Sequence, residues 1–164
     1  MAKQKEEKTN VMRILEQQGI PYTPHTYPHD GEAVPDGETV ARALGQDPSA
    51  VFKTLVTRGA SGGYYVFDIP VSAVLDLKKA ARAVGEKSVA MLPSRELLPL
   101  TGYVHGGCSP VGMKKRFPTV FHDSCLGQDT ICVSAGKIGF QVEVRPADLI
   151  ALVGASTADV IVEE

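Results

Sequence analysis

The chain is predicted to fold as a mixed α/β domain: a central, largely antiparallel, barrel-like mixed sheet surrounded by short helices. Three observations predict this. Apolar positions switch repeatedly between a period of two and a helical period. Several strand-like runs are joined by short turns rich in glycine, which favours antiparallel neighbours. The regular strand–helix alternation of a doubly wound parallel sheet is missing. A length of 164 residues suits one domain, expected over 9–164 with 1–8 as a flexible tail. At this size a chain buries roughly 68–70% of its unfolded surface, so it needs no staple.

Each element follows from local chemistry. Thr9 or Asn10 can cap a helix whose Val11, Met12, Ile14 and Leu15 are apolar, and Gly19 ends it. Tyr22 to Tyr27 reads as a strand, and 28–37 as a loop full of helix and strand breakers. Glu38 to Leu44 is a short helix stopped by Gly45, and Asp47-Pro48 offers a cap and a first-turn proline for one more turn. Val51 to Thr57 and Gly63 to Ile69 form a hairpin about the turn Arg58–Gly62. Asp76 to Val84 is a helix with Leu77, Ala80, Ala81 and Val84 at helical spacing and Lys78, Lys79 and Arg82 on the other face. Lys87 to Met91 reads as a strand, and Ser94 caps a short helix over 95–98. Thr119–His122, Thr130–Ser134 and Phe140–Val144 read as strands, Pro146 opens a helix through Leu152, and Val160–Val162 is a last strand or tail.

Composition narrows the function classes. The formal net charge is −2, so nucleic acid would be met by a local basic patch and not by bulk charge. Cys108, Cys125 and Cys132 are an odd set without CxxC spacing, unlike a disulfide framework or a zinc site. A charged N-terminus without an apolar core, and no run of the roughly 18–20 apolar residues that span a bilayer, point to a cytoplasmic protein.

The most informative segment is 101–118, TGYVHGGCSPVGMKKRFP. Its glycines let backbone N–H groups approach a ligand closely, and Lys114, Lys115 and Arg116 follow at once. Such a loop suits a phosphate, a carboxylate or a developing oxyanion. The plainer reading is a surface loop followed by a solvated basic turn. Lys53 interrupts the apolar strand VFKTLV and shares a face with Val51 and Leu55 by alternation. If that face is buried, the ammonium needs an anion or a ligand oxygen; if it is wet, Lys53 is an ordinary edge lysine. Cys108 beside the cations is a candidate low-pKa thiol, weighed against a small residue filling space. VSAGKIG (133–139) is a second strand-to-glycine turn, in which Ser134, Gly136 and Lys137 could reach the same ligand or simply close a hairpin. His25, His29, His105 and His122 lack metal-ligand spacing, so no metal is expected, and no cofactor motif, P-loop or GxSxG elbow occurs.

His25-Thr26-Tyr27, Phe52-Lys53-Thr54-Leu55, LDLKK (75–79), the 101–116 segment and VSAGK (133–137), in this order and spacing, resemble the YbaK/EbsC family. That family is related to the editing domain inserted in bacterial prolyl-tRNA synthetases, and the likeness runs from about residue 9 to 160. The resemblance implies a free-standing aminoacyl-tRNA deacylase that clears cysteine mischarged on proline tRNA. It implies that Lys53 holds the terminal adenosine or its phosphate, that Gly106 and Gly107 line a carbonyl pocket, and that Tyr27 and Ser134 are site residues. Ser109, Gly136 and Lys137 are expected at the substrate. The family mechanism uses the substrate's own thiol against its ester carbonyl, which requires orientation and oxyanion stabilisation but no protein nucleophile. Cys108, Ala135, Ile138 and Gln141 depart from the family pattern, where an aliphatic residue and glycine are usual, arginine is common and some relatives carry aspartate, respectively. A patch of Lys53, Lys78, Lys79, Arg82, Lys114, Lys115 and Arg116 is expected to dock tRNA, with prolyl-tRNA synthetase as a transient partner. The competing readings are alanine editing by water attack, a non-catalytic tRNA- or nucleotide-binding module, and a Cys108 thiol hydrolase.

Overall fold

The computed structural model describes residues 8–28 and 36–163. Most of the expected tail, most of the 28–37 loop, and His29 lie outside them. The elements are α1 (Asn10–Gln17), β1 (Thr23–Thr26), α2 (Gly37–Ala43), β2 (Phe52–Gly59), β3 (Tyr64–Pro70), α3 (Leu77–Val84), β4 (Val89–Met91), α4 (Ser94–Thr101), β5 (Thr119–His122), β6 (Ile131–Ser134), β7 (Phe140–Val144), α5 (Pro146–Val153) and β8 (Ser156–Ala158), with 3-10 turns at Pro48–Ala50 and Asp123–Gly127.

Local signals set the helix ends. Thr9 Oγ1 accepts the Met12 N–H at 3.3 Å, and Asp76 accepts the N–H groups of Lys78 and Lys79, each at 3.0 Å. These bonds satisfy first-turn donors that have no partner inside the helix. Gly85, at φ +74°, closes α3 in the left-handed conformation. The fourth helix is longer than the expected 95–98. It runs past Pro99 to Thr101, whose hydroxyl donates to the Leu97 carbonyl at 2.7 Å.

The strands form two sheets, β1-β7-β6 and β4-β2-β3-β5-β8. Most pairings are antiparallel, but β5 lies parallel to both β3 and β8. The expected mixed α/β domain is present, and its barrel-like sheet resolves into two sheets: no closed barrel forms among the described residues, and the sheets meet through a parallel bridge between Val51 and Cys132. The last strand is Ser156–Ala158, not Val160–Val162, of which only Ile161 bridges, to Leu75. Small polar residues carry little strand signal, so the exposed edge of β5 decides where the chain pairs.

The main core includes Val11, Leu15, Phe52, Val66, Phe121, Val133, Val142 and Leu149. A second core under α3 holds Phe67, Ile69, Ala80, Ala81, Val89 and Val120. Strand β3 therefore buries both faces, which explains the nearly unbroken apolar run YYVFDIP. Strand β4 covers β2 only along Thr57–Gly59. Residues 52–55 thus keep one edge without a ladder partner among the described residues, and a cavity opens there.

Candidate active site

A cavity of about 460 Å³ lies at the junction of the two sheets, within the size range of small-molecule sites. The start of β2 forms one wall with Phe52, Lys53, Thr54 and Leu55; Ser134 and Gln141 come from the other sheet, and Tyr27 follows β1. The glycine loop contributes His105, Gly106 and Cys108, and α2 contributes Glu38. An amine on an early strand and a glycine turn some fifty residues later therefore border one space.

Lys53 pairs with Ile69 across β2–β3, and Leu55 with Phe67, so the face it shares with Leu55 lies against the second core. Lys53 and Leu55 are half-buried there, whereas Phe52 and Val56 on the opposite face are buried. Its ammonium reaches the Val71 carbonyl only at 3.4 Å, a long hydrogen bond. Burial lowers its pKa from the ordinary lysine range, partly offset by the Glu38 carboxylate. An under-satisfied cation on a cavity wall is a ready partner for an anionic or carbonyl oxygen.

The two adjacent glycines do different work. Gly106 is exposed on the cavity wall at φ +87°, and its N–H has no acceptor among the described residues. Gly107 is buried and its N–H is spent on the Val104 carbonyl at 3.0 Å. A Cβ on Gly107 would lie 3.2 Å from Ile138 N, so the bare Cα lets the loop press against the 134–139 turn. Gly107 is not among the residues that border the cavity and packs closely behind it.

Other expected site residues fall elsewhere. Ser109 is fully buried and its Oγ accepts the Val111 N–H at 3.3 Å, which shapes the loop. Gly136, at φ +90°, backs onto Tyr103, whose ring a Cβ would approach to 2.9 Å. Lys137 is exposed and lies over the Phe140 ring at 5.4 Å. None of these three borders the cavity. Ser134 does, and its Oγ accepts the Gly136 N–H at 3.1 Å.

The expected cations fall in more than one place. Lys115 and Arg116 border a different cavity with Ile14 and Leu152, and Arg116 Nη2 donates to the Leu152 carbonyl at 2.9 Å. Lys79 is held by Asp159 at 3.0 Å and the Ile161 carbonyl at 2.9 Å. Lys78, Arg82 and Lys114 are exposed. Cys108 is buried, and burial pushes its thiol up to about 12. The basic turn does not activate it, so at neutral pH it is a small apolar wall residue.

Sequence reasoning passed over two polar pairs at the site. Thr54 Oγ1 donates to Asp68 Oδ1 at 2.5 Å across β2–β3. Asp68 is fully buried, and its Oδ2 has no partner. A carboxylate inside YYVFDIP was the available signal. Gln46 Nε2 donates to Gln141 Oε1 at 2.9 Å, which orients the Gln141 amide at the cavity. Among the described residues, one group has metal-ligand atoms close together: His25, Cys132 and Glu143. They already bond within the protein: Glu143 pairs with His25 at 2.8 Å and accepts from Thr130, and Cys132 Sγ lies 3.6 Å from Gln46 Nε2.

A concave site with a half-buried ammonium, a free backbone donor and flanking hydroxyls is built for an oxygen-rich acyl or phosphate group. The comparisons agree in class. Residues 31–152 match the aminoacyl-tRNA editing domain, and the chain belongs to that family. It is an aminoacyl-tRNA deacylase. A relative from Enterococcus faecalis (strain ATCC 700802 / V583), provisionally named Cys-tRNA(Pro)/Cys-tRNA(Cys) deacylase EbsC, is 42% identical over 165 residues, covering 100% of both chains. A crystal structure provisionally described as a trans-editing enzyme for prolyl-tRNA synthetase superposes with TM-score 0.79 at 27% identity, over 96% of this chain and 100% of that one. A scaffold protein used for computational epitope grafting gives TM-score 0.80 at 28% identity, over 94% of this chain and 96% of the other. No helix among the described residues is long and apolar enough to cross a membrane.

Proposed function

We propose that this chain clears cysteine mischarged on proline tRNA, acting in trans in the cytoplasm. The observation that carries the reading is that Lys53 and Gly106 border one cavity, in a chain whose full-length relative is named for Cys-tRNA deacylation. The cysteinyl ester enters with its carbonyl toward the Gly106 N–H. The substrate sulfur forms a bond to the carbonyl carbon, and the Gly106 N–H stabilises the oxyanion. Collapse breaks the ester C–O bond and releases a cyclic thiolactone. The proton lost by the thiol ends on the departing ribose hydroxyl. Lys53 holds the terminal adenosine or its phosphate, and Tyr27 and Ser134 border the acyl group. This scheme requires no protein nucleophile, which suits a site whose only thiol, Cys108, is held neutral.

The acceptor stem is assigned to exposed Lys78, Arg82, Lys114 and Lys115, outside the cavity. Prolyl-tRNA synthetase is the proposed transient partner that delivers the substrate. The test is a deacylation panel of cysteinyl-, alanyl- and seryl-tRNA. Cysteine release that Lys53→Ala largely abolishes is the expected result. Equal release of alanine would replace thiol attack by water attack, and background rates on all three would end the reading.

A further inference from the structure

The Thr54–Asp68 pair is one of two polar pairs at the cavity that this mechanism leaves unused, and the one with a buried carboxyl. Asp68 is 0% exposed, makes no ion pair among the described residues, and leaves Oδ2 without a hydrogen-bond partner. A buried polar atom without a partner is rare in folded proteins and calls for an explanation. The titratable groups facing Asp68 are the thiols of Cys108 and Cys125, both pushed up by burial, to about 12 and about 11. Both therefore stay neutral, and neither offers a countercharge. Lys53 follows the other face of β2, opposite Ile69, whereas Thr54 lies opposite Asp68.

Thr54 connects this carboxyl to the cavity, because it borders the cavity and donates its hydroxyl hydrogen to Asp68. A hydroxyl has one hydrogen and two lone pairs. With the hydrogen committed to Asp68, the Thr54 oxygen can only accept from a ligand. As pH rises through about 7 the buried Asp68 carboxyl ionises, and its negative charge then further favours a cationic donor.

An aminoacyl ester carries one such donor, its α-ammonium. We infer that Thr54 accepts a hydrogen bond from the α-ammonium of the aminoacyl group, and that Asp68 is the positioning residue that fixes the polarity of the Thr54 hydroxyl. The inference rests on the deacylase reading and adds to it a recognition element shared by all aminoacyl groups. Thr54 and Asp68 would reject N-acylated or des-amino esters while leaving side-chain choice to the opposite wall.

The probes are two unreactive analogues of the tRNA end. One is 3′-amino-3′-deoxyadenosine amide-linked to cysteine, and the other is the same compound linked to 3-mercaptopropionate, which lacks the amine. Calorimetry on the full chain should show the amine-bearing compound bound about tenfold more tightly, as expected for a hydrogen bond to a charged group. Asp68→Asn and Thr54→Val should each reduce that preference to less than about threefold. Thr54→Ser should restore it, and affinity for the des-amino compound should stay unchanged throughout. The Thr54 variants keep the test valid if Asp68→Asn does not fold. Equal binding of both compounds by the wild-type chain, or a preference that survives both Asp68→Asn and Thr54→Val, overturns the inference. Deacylation of cysteinyl-tRNA measured in parallel separates the two ideas: turnover without an ammonium preference sinks the inference alone, and absence of turnover sinks the function.

Discussion

Gly107 and Ile138 meet backbone to backbone: a Cβ on Gly107 would stand 3.2 Å from Ile138 N and 3.4 Å from the Lys137 carbonyl carbon. This approach presses the glycine loop onto the turn after β6 and so holds Gly106 and Ser134 on the same cavity. Because the neighbour is backbone, it cannot swing aside. Gly107→Ala is expected to cost about 1–3 kcal/mol through overpacking and to lower kcat/KM for deacylation. Urea unfolding and steady-state kinetics check both parts.

Lys53→Ala removes a half-buried ammonium whose one hydrogen bond among the described residues is 3.4 Å long. Stability should therefore change little, while deacylation falls by about 100-fold or more, the scale found when a preorganised electrostatic group is deleted. Melting curves that match wild type beside abolished turnover would place the effect on the substrate.

Asp68 predicts an unusual pH dependence of stability. Burial raises its carboxyl from the ordinary 3.8 to about 7, against the lowering effect of the Thr54 hydroxyl. The folded chain thus holds this proton more tightly than the unfolded one. The stabilisation is complete below about pH 4 and is lost as pH rises through about 7, by an amount on the order of 4 kcal/mol. Asp68→Asn should flatten this dependence, gaining on the wild type at pH 8 relative to pH 5 in urea titrations. Parallel curves for the two proteins would contradict the assignment.

Cys108→Ala should leave deacylation within a few-fold of wild type. Its thiol stands at about 12, so almost no thiolate exists at pH 7. Loss of activity with a normal melting temperature would instead support a thiol hydrolase. Alkylation by iodoacetamide should be correspondingly slow in the folded chain.

Binding of tRNA should weaken steeply with salt. Lys114→Ala with Lys115→Ala should reduce the slope of log affinity against log salt by about 1 for each phosphate no longer neutralised. A flat salt response would remove those residues from the interface.

What the sequence determined alone was local. Asp76 and Gly85 bracket α3 because a side-chain cap and a left-handed glycine act within one turn. The β2–β3 hairpin and the Pro146 start of α5 are legible for the same reason, and Lys53 stood out as a charge in an apolar strand. Tertiary structure decided which of these groups meet. It placed Gly106 on the cavity but Gly107 behind it, turned Ser109 and Gly136 inward, sent Lys115 and Arg116 to another cavity, and buried Cys108 until its thiol was inert. It also set Thr54 against Asp68, fourteen residues apart in the chain and opposite each other in the ladder. Caps and periodicity act through neighbours a few residues away, whereas the make-up of a cavity depends on strand register and on packing between distant segments.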